Sequence, residues 1–116
     1  VTYVPMHRRK EKRRGFNQAE LLANMLARQT RGTAIRLLEK IKETKPQVDL
    51  DREERLRNVR GSFAISGGTL SVPITTLSVV LVDDVWTTGA TKQECCRVLK
   101  KAGVREVWGF TLARTV

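Results

Sequence analysis

Two adjacent carboxylates follow four apolar residues in the segment VVLVDDVWTTGAT, residues 79–91. Asp83 and Asp84 can each accept a hydrogen bond from one of two vicinal hydroxyl groups, and charge-assisted bonds of this kind contribute about 1.5–3 kcal/mol each. Because neighbouring strand residues point to opposite faces, we expect the two carboxylates to stay apart. The pair predicts a binding site for the diol of a sugar.

The residues after the pair have the composition of a phosphate-binding loop. Gly89 allows a tight turn, so that successive backbone N–H groups converge on one anion at the start of a helix. The predicted 5-phosphate site comprises Thr87, Thr88, Gly89, Ala90 and Thr91. A diol site beside a phosphate site describes ribose 5-phosphate. The alternative is that a threonine only caps the helix and that the two acids are solvated.

Such a site needs a strand before it and a helix after it. Residues 76–84 predict a central parallel strand buried on both faces, and residues 85–90 predict a turn. Residues 91–103 predict a helix with Cys95 on its buried face, and residues 105–113 predict a further strand. This order implies a right-handed crossover in an α/β sheet, where ligands bind beyond the carboxyl ends of the strands.

The N-terminal part predicts a strand, a loop and a helix. Residues 1–5 form a short strand ended by proline, and residues 6–17 form a basic loop. Asn17 is a good N-cap for a helix over residues 18–30, with Leu22, Met25 and Leu26 on its apolar face.

The middle of the chain is less regular. Residues 33–41 predict a second strand, and the polar residues 43–61 predict a long mobile loop, with an optional helical turn at DREERLRN. Residues 62–72 predict a hairpin that turns at Gly67-Gly68, and Trp108 is expected in the core.

The whole chain has a net charge of +10, and most of the excess positive charge lies in its first half. Residues 1–60 contain 16 Lys and Arg against 8 Asp and Glu, whereas residues 61–116 contain 6 against 4. This distribution predicts an anionic partner, either nucleic acid or a small polyphosphate. The two cysteines are sequence neighbours, which disfavours a disulfide, and no apolar run has the ~20 residues of a membrane span. We therefore expect a cytoplasmic protein.

The segment VLVDDVWTTGAT, residues 80–91, resembles the ribose-phosphate signature of type I phosphoribosyltransferases. Those enzymes bind 5-phosphoribosyl 1-diphosphate with magnesium. The resemblance implies that Asp83 and Asp84 contact the ribose hydroxyls, that residues 87–91 hold the 5-phosphate, and that the substrate rather than the protein holds the magnesium. It also places the diphosphate against the loop after the first strand. The candidates there are His7, Arg8 and Arg9, although the run HRRKEKRR is equally typical of a solvated loop that contacts nucleic acid.

The chain is also similar to the ComF family of competence-associated, phosphoribosyltransferase-like proteins. The matching segments are RRGFNQAELLA, TKPQ, REERLRNVRGSF and VLVDDVWTTGAT followed by LKKAGVREVWGFTLAR. The resemblance implies a type I phosphoribosyltransferase-like parallel sheet with flanking helices and a long flexible loop, in one domain of residues 1–116. ComF proteins usually begin with a cysteine-rich zinc-binding segment, which is not in this sequence, so we expect either the phosphoribosyltransferase-like domain alone or a truncated protein.

The predicted mobile loop would close over the diphosphate and exclude water. Where the family often has R-x-R-x-T-x-x-Q, this sequence has lysines at both arginine positions, which keeps the charge but loses the bidentate guanidinium. The alternative for the second half of the loop is a solvated helix with ion pairs. The candidate loop residues are Lys40, Lys42, Thr44, Gln47, Arg52, Arg55 and Asn58.

Three functions remain open from the sequence. The first is an enzyme that transfers phosphoribosyl from its diphosphate to an unidentified acceptor, with no residue assigned as the general base. The second is a non-catalytic DNA-uptake factor whose basic surface binds single-stranded DNA or a competence helicase. The third is a sensor that binds the donor without reacting it.

Overall fold

The computed structural model describes residues 1–42, 51–67, 70, 72–86 and 89–114. Within these residues, strands and helices alternate as an α/β fold requires. In chain order the elements are β1 (Thr2–Tyr3), α1 (Arg8–Arg14), α2 (Gln18–Thr30), β2 (Leu38–Lys40), α3 (Arg52–Val59), β3 (Phe63–Ile65), a 3-10 turn (Ile74–Thr76), β4 (Ser78–Trp86), α4 (Ala90–Lys101) and β5 (Glu106–Arg114).

The central strand β4 lies between β1 and β5 and is parallel to both, which confirms the predicted fold. β2 and β3 form an antiparallel pair. His7 makes a parallel bridge to Lys40, and the N–H of Ile35 donates to the carbonyl of Val1 at 2.8 Å, so β2 runs in the same direction as β1. The carboxyl ends of β1, β2, β4 and β5 therefore meet at one edge of the fold.

Apolar side chains cover β4 on both faces, as its sequence predicts. Leu81 packs with Leu99 of α4 in the larger core cluster. Val82 packs on the other face against Tyr3 of β1 and the alanines of α2. Burial on both faces makes β4 a rigid base for a site at its carboxyl end.

The helix α2 has the predicted bounds, and Leu22 and Leu26 of its predicted apolar face pack partly buried against the core, but its most buried residues are alanines. Asn17 caps it by accepting the N–H of Ala19 at 3.0 Å, and the Nδ2 of Asn17 donates to the carbonyl of Val4 at 3.2 Å. This second bond fixes the rotation of the helix so that its small side chains meet the sheet, which leaves Met25 59% exposed. The buried residues are Ala19, Ala23 and Ala27.

The basic segment after β1 is a helix, so the prediction of a loop there was wrong. The Nδ1 of His7 accepts the N–H of Arg9 at 3.2 Å, and the helix ends at Gly15 with a left-handed backbone. No residue of α1 is buried. The helix therefore depends on its caps and on the high helix propensity of Arg, Lys and Glu.

The second strand predicted over residues 33–41 is present but shorter, at Leu38–Lys40. Two other expectations about the fold were wrong. The hairpin predicted over residues 62–72 is not formed by the described residues, because β3 pairs with β2 and Leu70 and Val72 belong to no strand. Gly68, at the predicted turn, lies outside the described residues. Trp108 is 64% exposed, because α2 packs over β4 and β1 and leaves this face of β5 uncovered.

The helices of the described residues are all too short or too polar to cross a membrane.

Candidate functional site

The strand β4 extends beyond the two carboxylates, where a turn was expected. Asp83 pairs with Thr111 of β5, and the ladder continues to Trp86 opposite Arg114. β5 is as long as β4, so its backbone keeps β4 extended through these positions. The two carboxylates consequently lie near the carboxyl end of the strand β4 rather than in a loop.

The side chains of Asp83 and Asp84 interact with each other, contrary to the expectation that they stay apart. The Oδ1 of Asp83 accepts the backbone N–H of Asp84 at 2.9 Å, which turns this carboxyl along the chain toward its neighbour. The carbonyl of Asp84 accepts the hydroxyl of Thr111 at 3.3 Å. The two carboxyl groups thus form one unit, held by backbone hydrogen bonds.

Burial raises the pKa of Asp83 to about 7, and the hydrogen bond and negative charge of Asp84 contribute to the rise. Near neutral pH the pair therefore holds a proton that isolated carboxylates would release. A ligand that donates hydrogen bonds to the pair would favour its ionised form. Two hydroxyl groups of a sugar are ligands of this kind.

The floor of the site lies between β4 and α4. Burial raises the pKa of the Cys95 thiol, the charge of Asp83 raises it further, and the charge of Lys40 lowers it. Cys95, Asp83 and Lys40 are therefore neighbours, although they come from three elements. Among the described residues, no group of three His, Cys, Asp or Glu is placed to hold a metal ion.

The helix α4 begins at Gly89, whose left-handed backbone (φ 79°, ψ 5°) supplies the predicted turn. A Cβ atom at Gly89 would meet no atom within 4 Å, so this side of the turn faces open space. Ala90 is 3% exposed and anchors the helix, and the first turn contains no acidic residue. Thr91 is half-buried, whereas Thr87 and Thr88 lie outside the described residues.

His7, Arg8 and Arg9 lie at the same sheet edge as Asp83. The N–H of Val4 donates to the carbonyl of Val82 at 2.9 Å, so the chain leaves β1 beside the carboxylates. His7 caps α1, and Arg8 and Arg9 are exposed in its first turn. The predicted diphosphate residues are therefore at a helix start rather than in a loop.

The second half of the predicted mobile loop is the helix α3. Asp51 caps it by accepting the N–H of Glu54 at 2.8 Å, and the helix packs against α4. Arg55 and Asn58 are half-buried on one face, whereas Arg52 is exposed. Lys42 is exposed just after β2, and Thr44 and Gln47 lie outside the described residues.

Sequence reasoning missed Glu94, a buried acid on α4. It is 6% exposed and accepts hydrogen bonds from the backbone of Gly61 at 2.7 Å and from Arg97 at 2.6 and 2.9 Å. The signal in the sequence was an acid next to the apolar face of the predicted helix, with an arginine three residues later.

No protein-family model matches the chain. Among curated proteins, it is 35% identical to "Competence protein F" of Haemophilus influenzae over 112 residues, which are 96% of this chain and 48% of that protein. It is 33% identical to "DNA utilization protein YhgH" of Escherichia coli over 120 residues, covering 100% of this chain and 49% of that protein. It is 31% identical to "Competence protein ComFC" of Bacillus subtilis over 113 residues, covering 97% and 43%. The chain thus spans about half the length of the curated relatives that it matches.

Proposed function

Because the chain belongs to the ComF family of competence proteins over the region that it shares with these relatives, we propose that it is the phosphoribosyl-binding part of such a protein. It binds 5-phosphoribosyl 1-diphosphate and transfers the phosphoribosyl group to an acceptor nucleophile. One observation carries the proposal: the adjacent acids Asp83 and Asp84 lie on β4 shortly before the left-handed Gly89 that begins α4. Acids for a diol and backbone N–H groups for a phosphate are separated by a few residues.

Each part of the donor has residues of matching chemistry. The ribose hydroxyls donate to Asp83 and Asp84, and the 5-phosphate accepts from the N–H groups at the start of α4. The diphosphate lies toward Arg8 and Arg9 at the same sheet edge. No described protein residue is assigned to hold magnesium; carried by the substrate, it would supply positive charge against the leaving diphosphate.

The reaction is a displacement at the anomeric carbon. A lone pair of the acceptor forms the new bond, the bond to the diphosphate oxygen breaks, and the diphosphate leaves with the electron pair. The protein contributes by fixing the ribose, by placing cationic side chains around the leaving group and by excluding water. α3 is the candidate cover.

The test of donor binding is a calorimetric titration of the protein with the donor in the presence of magnesium. Asp84→Asn removes one charge-assisted hydrogen bond, so we expect its affinity to fall about 10- to 100-fold. The matched control is Glu106→Gln, the same loss of charge at an exposed position at the opposite end of β5. Equal affinity of Asp84→Asn and the unchanged protein would refute the ribose site. Release of diphosphate in the presence of an acceptor distinguishes an enzyme from a sensor.

A second candidate function is binding of single-stranded DNA or of a helicase partner during DNA uptake. It is favoured by α1, in which six of seven residues are basic and none is buried. The relatives named for competence and DNA utilization are consistent with it. This function does not need the carboxyl pair, which separates it from the first proposal.

A further inference from the structure

We propose that Glu94 is a positioning residue, which fastens the end of α3 to α4 and so holds the candidate cover at a fixed place relative to the start of α4. The inference rests on the proposed function, because it gives α3 the task of covering the diphosphate. Glu94 itself touches no part of the proposed substrate.

Both carboxylate oxygens of Glu94 are used. Oε2 accepts the backbone N–H of Gly61 at 2.7 Å and an Nη2 hydrogen of Arg97 at 2.9 Å, and Oε1 accepts the Nε–H of Arg97 at 2.6 Å. These hydrogen bonds, those of Arg97 first, hold the pKa of Glu94 below its ordinary value. The group is therefore a buried, ionised carboxylate with its geometry fixed by donors on two different segments.

The partner segment is the exit of α3. Val59, the last residue of the helix, is 1% exposed, and its carbonyl accepts the N–H of Ser62 at 3.0 Å. Between them Gly61 has a left-handed backbone (φ 73°), which allows its N–H to donate to the carboxylate of Glu94. From Val59 to β3 the chain is thus fixed on α4, so that α3 is held at its C-terminal end.

The helix that contains Glu94, α4, also begins at the predicted phosphate loop. Glu94 lies one turn after Ala90, and α4 is a rigid element whose buried residues pack against the sheet. A shift of the Glu94 anchor would move Arg55 and Asn58 relative to Gly89. Apolar residues could hold two helices together at lower cost, since a buried carboxylate must be fully paired to be tolerated. What the carboxylate adds is a directional attachment of the backbone at Gly61.

The experiment compares Glu94→Gln with the unchanged protein in two measurements. Hydrogen exchange of the peptides that cover residues 51–63 needs no ligand, and we expect Glu94→Gln to speed exchange there by about tenfold, since a charge-assisted bond to Gly61 is weakened. Calorimetry with magnesium then compares 5-phosphoribosyl 1-diphosphate with ribose 5-phosphate, which lacks the diphosphate. We expect the affinity for the donor to fall at least about fivefold while that for ribose 5-phosphate stays within about twofold.

Two further variants keep the test decisive. Arg97→Gln removes the exposed partner of Glu94 but leaves the bond to Gly61. Its effects on exchange and on affinity should have the same direction as those of Glu94→Gln and be smaller. If Glu94→Gln does not fold, Arg97→Gln replaces it in both measurements. Glu106→Gln should change neither measurement. Unchanged exchange in residues 51–63, or an equal loss of affinity for both ligands, would overturn the inference. If the unchanged protein binds neither ligand, the proposed function fails, and the exchange measurement alone still decides whether Glu94 fastens α3.

Discussion

At the scale of residues, Asp83 and Asp84 differ from exposed carboxylates, because Asp83 is partly buried and in contact with its acidic neighbour. Asp83 is held by the N–H of Asp84, is half-buried, and has a pKa raised to about 7 by burial and by its neighbour. An acid in this state destabilises the folded protein when it is charged. Residues that lower stability in this way are concentrated at functional sites.

The raised pKa of Asp83 predicts how stability changes with pH. The ordinary value is 3.8 and the folded value is about 7, so between these pH values the folded protein binds one more proton than the unfolded chain. The free energy of unfolding must therefore fall as pH rises through this window. We expect Asp83→Asn to remove the fall and to be more stable than the unchanged protein by about 1–3 kcal/mol at about pH 8.

Urea unfolding at about pH 4 and about pH 8 measures this difference. At the lower pH the advantage of the variant should be small, because Asp83 is then protonated in the folded protein and still close to half protonated in the unfolded chain, so that most of the fall in stability has yet to occur. Glu106→Gln is the control for loss of an acid elsewhere. An advantage of Asp83→Asn that is the same at both pH values would mean that ionisation of Asp83 is not its cause.

At the scale of elements, the junction of β4 and α4 decides whether the phosphate loop can form. The strand ends at Trp86 and the helix starts at Ala90, so the chain must reverse within three residues. Only Gly89 of the described junction has a positive φ, and no helix cap from a side chain assists it. Gly89 is therefore the described residue of this junction at which a substitution can test the backbone conformation.

We expect Gly89→Ala to lower the free energy of unfolding by about 1–2 kcal/mol through backbone strain alone, since a Cβ at this position would meet no atom within 4 Å. The control is Gly67→Ala, because Gly67 is also in open space but has no positive φ. Urea unfolding should find Gly67→Ala neutral or slightly stabilising. If both substitutions cost the same, backbone conformation at Gly89 is not the cause.

At the scale of the whole molecule, the exposed positive charge of α1 and the partly buried carboxyl pair lie on different elements. The basic helix α1 leaves the sheet edge beside β1 and exposes its cations, whereas the acids are partly buried on β4. An extended polyanion could therefore contact α1 without reaching Asp84. Donor binding would use Asp83 and Asp84, whereas DNA binding would use the cations of α1.

If single-stranded DNA binds through α1, the double variant Lys10→Gln and Lys12→Gln should reduce the slope of log affinity against log salt by about 1.4, at about 0.7 for each lost phosphate contact. The matched control is Lys101→Gln with Arg105→Gln, two exposed cations at the opposite edge of the sheet. Fluorescence anisotropy between about 50 and 200 mM salt measures the slope. Equal slopes for the two double variants would show that α1 is not the contact, and Asp84→Asn should leave the slope unchanged.

Features that depend on neighbours along the chain could be predicted from the order of the residues alone. The period of its apolar residues predicted β4, α4 and β5, and the cap Asn17 with the residues after it gave α2 its bounds. The parallel sheet followed from the order of strand, helix and strand. These predictions succeed because hydrogen bonding within a helix and burial of a strand leave a local pattern.

Contacts between side chains of different elements, by contrast, could not be predicted without the folded structure. The burial of Ala23 in place of Met25, the exposure of Trp108 and the pairing of β3 with β2 depend on what lies opposite each element. The contact of Asp83 with Asp84, and the bond from Gly61 to Glu94, depend on backbone donors whose direction no residue pattern specifies. Local sequence selects an element, but its rotation and its neighbours are set by packing against residues that are distant in the chain.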